Sequence, residues 1–192
     1  RGKFLVLALS LDYLLIHLRM SGDLRVEPSA GPGGDQLPYE CHDRMVIDLD
    51  NAGRDLRLAF NDPRKFGRVW MATHPDRILA GLGPEPLAPD FTPRDLYQRL
   101  AHFRRQIKPL LLDQSFLAGL GNIYTDEALH MAHIHPLTIS SSLSFEEAGR
   151  LWSAIRTVLT EGIRRNGASI DWVYRGGDFQ NAFQVYQRTG QP

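Results

Sequence analysis

The feature that constrains this chain most is a change of hydrophobic period around residues 82–87, LGPEPL. Before it, apolar and polar residues alternate with a period of two; after it, apolar residues recur every three or four positions. A chain patterned this way places a sheet region and a helical region in succession rather than interleaving them, so the expected fold class is α+β. Two prolines and the glycines before them suit a connector between two domains, and 192 residues hold one large domain or two small ones. No apolar run approaches the roughly 18 residues of a membrane span, so no membrane association is expected.

In the first region, residues 3–9 (KFLVLAL) and 13–18 (YLLIHL) read as strands of a hairpin across Ser10-Leu11-Asp12. Residues 43–49 (DRMVIDL) and 54–60 (RDLRLAF) alternate cleanly and flank Asp50-Asn51-Ala52-Gly53, whose residues tolerate positive φ. Residues 66–72 (FGRVWMA) add a further strand, giving an antiparallel sheet or sandwich. Residues 28–38, rich in Gly and Pro, read as a mobile loop.

In the second region, Thr92-Pro93 sets a cap and a first-turn proline for a helix to about Arg105. Residues 108–113 form a short helical turn, Gly119-Leu120-Gly121 interrupts, and residues 122–131 resume a helix that ends before His135-Pro136. Ser144-Phe145-Glu146-Glu147 is a capping box. It opens a long amphipathic helix with Ala148, Leu151, Trp152, Ile155, Val158, Leu159 and Ile163 on one face, stopped by Asn166-Gly167. A loop then leads to a short element around residues 183–186.

Three constellations could carry chemistry. The glycines before Asn122 present unpaired amides at a helix start, which suits a phosphate, with Lys108 able to add a formal charge; an ordinary Gly-rich cap would look the same. Asp126 and Glu127 are adjacent on that helix, face different directions and cannot act as an acid/base pair. The turn Asp62-Pro63-Arg64-Lys65-Phe66-Gly67 puts two cations beside a ring, equipment for entering a base stack, although a solvated turn with Phe66 in the core fits equally. Met20, at the end of a strand, is either core filler or an apolar wedge.

Other chemistries find less footing. His130 and His133 share a helix, but no third ligand gives a zinc pattern. No Gly-x-Ser-x-Gly elbow is present. Cys41 is the single cysteine, so an intramolecular disulfide is excluded and a reducing cytosol is expected. Acidic and basic residues balance at 22 each, so global charge does not advertise a nucleic-acid partner. Only three of the basic residues are lysine, and the arginine excess fits either genomic base composition or bidentate phosphate recognition.

In combination, RGKFL, HLRMSGDLR, NDPRKFG, LGPEPL, IKPLLLDQ, GLGNIYTDEAL and IHP resemble the landmarks of the formamidopyrimidine-DNA glycosylase family of base-excision repair enzymes, in the family's order and across nearly the whole chain. The resemblance implies that residues 1–82 are the later part of an N-terminal antiparallel β-sandwich domain, 83–88 a linker, and 89–192 a helical domain. Within that last domain, 93–134 would be the helix-two-turns-helix DNA-binding element and 167–183 a loop that closes over the lesion. Met20, Arg64 and Phe66 match the side chains that fill the gap left by an everted base; Lys108 and Asn122 match holders of the backbone phosphates; His42 matches a DNA contact. Lys3 resembles the lysine assigned as a proton donor in β-elimination. Where the family often has a Lys or Arg five residues before Lys108, Phe103 stands here, and Arg104 is the expected replacement, with Arg105 the alternative.

Two departures bear on activity. Family members begin with Pro-Glu, the proline amine attacking the sugar to form a Schiff base, and end in a four-cysteine zinc finger; neither pattern occurs in these residues. The chain is therefore expected to be a fragment, inactive by itself and without a cofactor of its own, of a zinc-bearing enzyme. That enzyme would remove oxidised purines such as 8-oxoguanine and formamidopyrimidines from damaged double-stranded DNA and cleave the abasic site. It would work as a monomer in the bacterial cytosol, associated with the nucleoid. The alternatives are the sister branch acting on oxidised pyrimidines and a non-enzymatic helix-two-turns-helix binding module.

Overall fold

The computed structural model describes residues 1–29, 39–51, 54–168, 176–186 and 188. Most of the expected loop over 28–38, the centre of the 50–53 turn, the middle of the 167–183 loop and the last residues lie outside the described ones. The chain divides into two compact units: Phe4–Pro75, and residues 1–3 together with 76–192.

The first unit holds two three-stranded antiparallel sheets. In one, β2 (Tyr13–His17) lies between β1 (Phe4–Ala8) and β6 (Arg68–Ala72). In the other, β5 (Arg54–Asn61) lies between β3 (Asp23–Pro28) and β4 (Asp43–Asn51). Leu14, Ile16 and Phe60 form the buried core, with Leu24, Met45, Ile47 and Val69 packed on it. Strand β3 is an addition to the sequence reading. Its Leu24-Arg25-Val26 alternation is short and runs into Pro28, which an edge strand tolerates because its outer amides need no partner. On the other side of β5, Asp48 and Arg57 sit directly across from one another and pair at 3.0 Å.

The second unit is helical: α1 (Asp76–Leu79), α2 (Pro93–Ala101), α3 (Ile107–Leu112), α4 (Asn122–Met131) and α5 (Phe145–Arg164). The expected Thr92 cap and Ser144–Glu147 box both form, and at α2 Asp95 returns a bond to the Thr92 amide, completing a second box. Leu96, Leu100, Ile107, Leu110, Leu111, Leu117, Leu120, Leu129 and Leu151 are buried in one core.

Three expectations are corrected. Helix α2 stops at Ala101 rather than near Arg105, because the chain beyond it is recruited by 139–140: Ser140 Oγ donates to the Phe103 carbonyl and Ser140 N–H to that of Arg105. On α5, Ile163 is exposed, and Ala154 and Gly162 are buried in its place. The short element expected around 183–186 forms instead as a 3₁₀ turn at Phe179–Ala182, with Phe179 in the core.

Residues 83–88 pack within this unit. Gly83 donates to the Gln114 carbonyl, and a Cβ on it would lie 2.6 Å from the Ser115 and Phe116 carbonyl oxygens. Arg156 of α5 donates to the carbonyls of Pro86 and Ala88. Two carboxylates here are strongly acidic: Asp113 is lowered to about 2 by the Ser115 hydroxyl and Arg105, and Glu161 to about 2 by Arg164 and Arg165. Groups with lowered pKa contribute stability above their ordinary value of about 4 and lose it as pH falls through the folded value. The melting temperature is therefore expected to stay level down to about pH 4 and to fall steeply between about 4 and 2. A decline already under way at pH 6 would show that these two carboxylates do not set the acid limit of stability.

Candidate nucleic-acid interface

In the β unit, the expected contacts gather on two turns held by one carboxylate. Asp62, at the end of β5, is 1% exposed. Its Oδ1 accepts from Ser21 Oγ at 2.6 Å and from the Arg64 amide at 3.3 Å; its Oδ2 accepts from the Gly67 amide at 2.7 Å. Burial raises its pKa, but these donors outweigh burial and hold it below the usual carboxylate range. Its main chain joins a third segment, because Asp62 N–H donates to the His42 carbonyl and Arg44 Nε donates to the Asp62 carbonyl. His42 itself lies within a turn closed by Asp43, whose carboxylate accepts from the Glu40 amide, Arg25 and Asn61.

Met20, His42, Arg64 and Phe66 thus project from segments tied to a single residue, and all four side chains are exposed. Met20 is 72% exposed and Phe66 54% exposed. Neither fills the core, so the readings of Met20 as core filler and Phe66 as a buried ring do not hold. Both leave apolar surface in water that contact with a partner would bury.

In the helical unit, the α3–α4 connection is organised by Gln114, to which the sequence reading gave no role. Its side-chain amide donates to the Leu112 and Leu120 carbonyls and accepts from Gly119 N–H, where φ is +98°. This turn delivers Gly121 as the cap of α4 without any side-chain cap bond. The first amides of α4 are therefore open to an anion. Asn122 is exposed at this end, and Lys3 Nζ stands 3.5 Å from where a Cβ on Gly121 would lie. Lys108 reaches α4 from α3 and pairs with Asp126 at 2.7 Å. Lys3 and Asn122 thus lie on or beside the start of α4, and Lys108 pairs with the same helix one turn further along. Arg105 is engaged by Asp113 at 2.9 Å, whereas Arg104 is exposed and has no carboxylate within ion-pair distance among the described residues.

Asp126 and Glu127 do face different ways. Glu127, 3% exposed, accepts from the amides of Gln184, Val185 and Tyr186 at 2.7 to 3.1 Å. Sequence reasoning missed this latch, because a Glu inside a helix gives no sign that its partners are main-chain amides more than fifty residues away. A cavity of about 670 Å³ opens nearby, lined by His130, His133, His135 and Tyr186 among others. Among the described residues no three His, Cys, Asp or Glu side chains converge to hold a metal ion. The single cysteine, Cys41, is exposed, so the residues described do not fit the four-cysteine zinc site implied by resemblance.

Family models decide the kinship. Residues 1–69 match the formamidopyrimidine-DNA glycosylase N-terminal domain, and residues 82–173 match the formamidopyrimidine-DNA glycosylase H2TH domain. The formamidopyrimidine-DNA glycosylase of Chloroflexus aurantiacus is 48% identical over all of this chain and 68% of its own length. The chain belongs to the formamidopyrimidine-DNA glycosylase family. The Escherichia coli O1:K1 glycosylase is 40% identical, with 70% of its length covered. Among solved structures, the MutM (Fpg) protein of Thermus thermophilus superposes with a TM-score of 0.85 at 40% identity, covering 100% of this chain and 71% of that one. A complex of the Lactococcus lactis glycosylase with abasic-site DNA gives 0.85 at 33% identity, covering 99% and 69%. The family's two domain models correspond to the strand-rich and helix-rich parts of an α+β chain.

Among the described residues, no helix is long and apolar enough to cross a membrane.

Proposed function

We propose that this glycosylase-family chain carries the DNA-engaging part of a base-excision repair enzyme that removes oxidised purines, 8-oxoguanine and formamidopyrimidines, and then cleaves the abasic site. The observation that carries this reading is the exposed trio Met20, Arg64 and Phe66 on turns braced by Asp62. Chemistry on a stacked base requires the base to leave the duplex, which costs a few kcal/mol of stacking. An apolar wedge and a ring recover part of that cost, and a guanidinium beside them can hydrogen-bond the unpaired partner base. Solved relatives include MutM bound to DNA containing carbocyclic 8-oxo-G, 33% identical to this chain.

The other assignments follow from the same reading. Residues 1–82 act as the later part of the N-terminal domain, 83–88 as the connector and 89–192 as the helix-two-turns-helix domain with its lesion loop. The family-model extents support this division. Lys108 and Asn122 hold phosphates at and near the open end of α4, and Arg104, which has no carboxylate within ion-pair distance among the described residues, takes a further backbone contact. His42 contacts DNA beside the Met20 turn. Lys3 donates a proton during β-elimination; its ammonium beside the α4 terminus is in the company an anionic strand requires. The nucleophilic amine of the family pattern, and any zinc, would lie outside these 192 residues. The protein acts as a monomer on damaged duplex DNA in the bacterial cytosol.

The test uses the full-length gene product and a duplex with one 8-oxoguanine opposite cytosine, treated with borohydride. A trapped covalent complex is expected, and binding should weaken with salt by a log–log slope of about −0.9 for each phosphate neutralised. Tight binding with no trapping on this duplex, but trapping on an oxidised pyrimidine, would move the protein to the sister branch. Binding without trapping on either would leave a DNA-binding module.

A further inference from the structure

We infer that Asp62 is a positioning residue for base eversion, one buried carboxylate that aims the Met20 turn and the Arg64–Phe66 turn together so that they enter the duplex as a unit. This rests on the reading of Met20, Arg64 and Phe66 given above and adds a residue that touches no DNA.

Every polar group of Asp62 is committed. Its carboxylate takes the Ser21 hydroxyl from one turn and the Arg64 and Gly67 amides from the other. Its carbonyl takes Lys65 N–H at 3.3 Å and Arg44 Nε, and its N–H holds His42. No cation lies within ion-pair distance of the carboxylate among the described residues, so its charge is satisfied by donors of the two turns alone.

Both turns also need to be held. Arg19, just before Met20, has φ of 59°, and Lys65, between Arg64 and Phe66, has φ of 60°. Non-glycine residues in this left-handed region persist only where the surroundings over-determine them. Between the turns lies the Phe60 ring. A Cβ on Gly22 would come within 2.9 Å of it and one on Gly67 within 2.4 Å, so each turn closes on the ring through a glycine. The two turns therefore share a wall and an anchor, and neither can shift without disturbing the bond that fixes the other.

Asn at position 62 keeps the shape but offers one oxygen and one NH₂ group to three donors, so at least one donor faces another donor. The experiment is a double-mutant cycle of Asp62→Asn and Met20→Ala in the full-length protein. It reads single-turnover excision of 8-oxoguanine and the fluorescence of a 2-aminopurine placed next to the lesion, which reports unstacking.

Met20→Ala is expected to slow excision about tenfold in the wild-type background and less than about threefold in the Asp62→Asn background. Asp62→Asn alone should slow excision and the fluorescence rise by about thirtyfold, with affinity for undamaged duplex within about twofold. A purely structural role would lower the affinities for damaged and undamaged duplex and the melting temperature together. If Met20→Ala changes nothing in the wild type, the wedge reading itself fails. If its effect is full and multiplies independently with that of Asp62→Asn, the wedge stands and Asp62 is not its positioner. Should Asp62→Asn fail to fold, Ser21→Ala decides the question, because it removes one donor and leaves two. It is expected to cost about fivefold in excision and to blunt the Met20→Ala effect; unchanged excision would overturn the proposal.

Discussion

Replacing Glu127 with alanine is expected to destabilise the helical unit by about 3 kcal/mol, which for a chain of this size lowers the melting temperature by about 6 to 12 °C. The reason lies in the accounting of buried groups. The Glu127 carboxylate gathers three consecutive amides, Gln184, Val185 and Tyr186, from a segment that has no helix or strand of its own to satisfy them. Alanine leaves three donors without an acceptor and also removes the side chain from a position that is only 3% exposed. Each amide stripped of its partner costs about 1 to 3 kcal/mol when dry. Gln184 and Val185 are partly solvated, so water meets some of the loss. Glu127→Gln keeps one acceptor and turns an NH₂ group towards the remaining amides, so an intermediate loss is expected. Hydrogen exchange locates the effect, since the amides of 184–186 should lose protection in Glu127→Ala while those of α5 keep theirs. Unchanged melting in the alanine variant would show that the carboxylate is dispensable to the fold.

Glu127 also marks where reading the sequence stopped. Devices closed within a few residues were legible: the Thr92 cap, the Ser144–Glu147 box, the Gly121 start of α4 and the β4–β5 hairpin all follow from local geometry. What escaped was decided by distant main chain. Ser140 ends α2 early by taking up the Phe103 and Arg105 carbonyls. Gln114 and Asp62 organise their loops through carbonyls and amides that carry no side-chain signature. The exposure of Met20 and Phe66 was equally unreadable, because an apolar residue at a turn looks the same whether the core has room for it or not. Here Phe60, closed in by Gly22 and Gly67, already fills that core. The order of the short motifs supplied what periodicity could not, a specific chemistry. It did so without indicating which buried groups hold those motifs in place.

Lys108→Ala is expected to weaken duplex binding by about ten- to a hundredfold at moderate salt, equally for damaged and undamaged sequences, and to reduce the salt slope by about 0.9. Lys108 is half-buried with its ammonium on Asp126, so it is held against α4 one turn after the helix start rather than searching in solvent. Two of its directions meet Asp126 Oδ1 and Oδ2, at 2.7 and 3.0 Å, which leaves a third proton for a phosphate oxygen. A phosphate contact carries no base information, hence the uniform loss. The Asp126 carboxylate makes a second, opposite expectation available. It neutralises Lys108 in the free protein, so Asp126→Asn should raise affinity at low salt and steepen the salt dependence, provided Lys108 keeps its place. Lower affinity in Asp126→Asn would mean that orienting the ammonium matters more than freeing its charge. No change of slope in Lys108→Ala would remove Lys108 from the phosphate contacts altogether and leave the α4 amides and Asn122 to hold the strand.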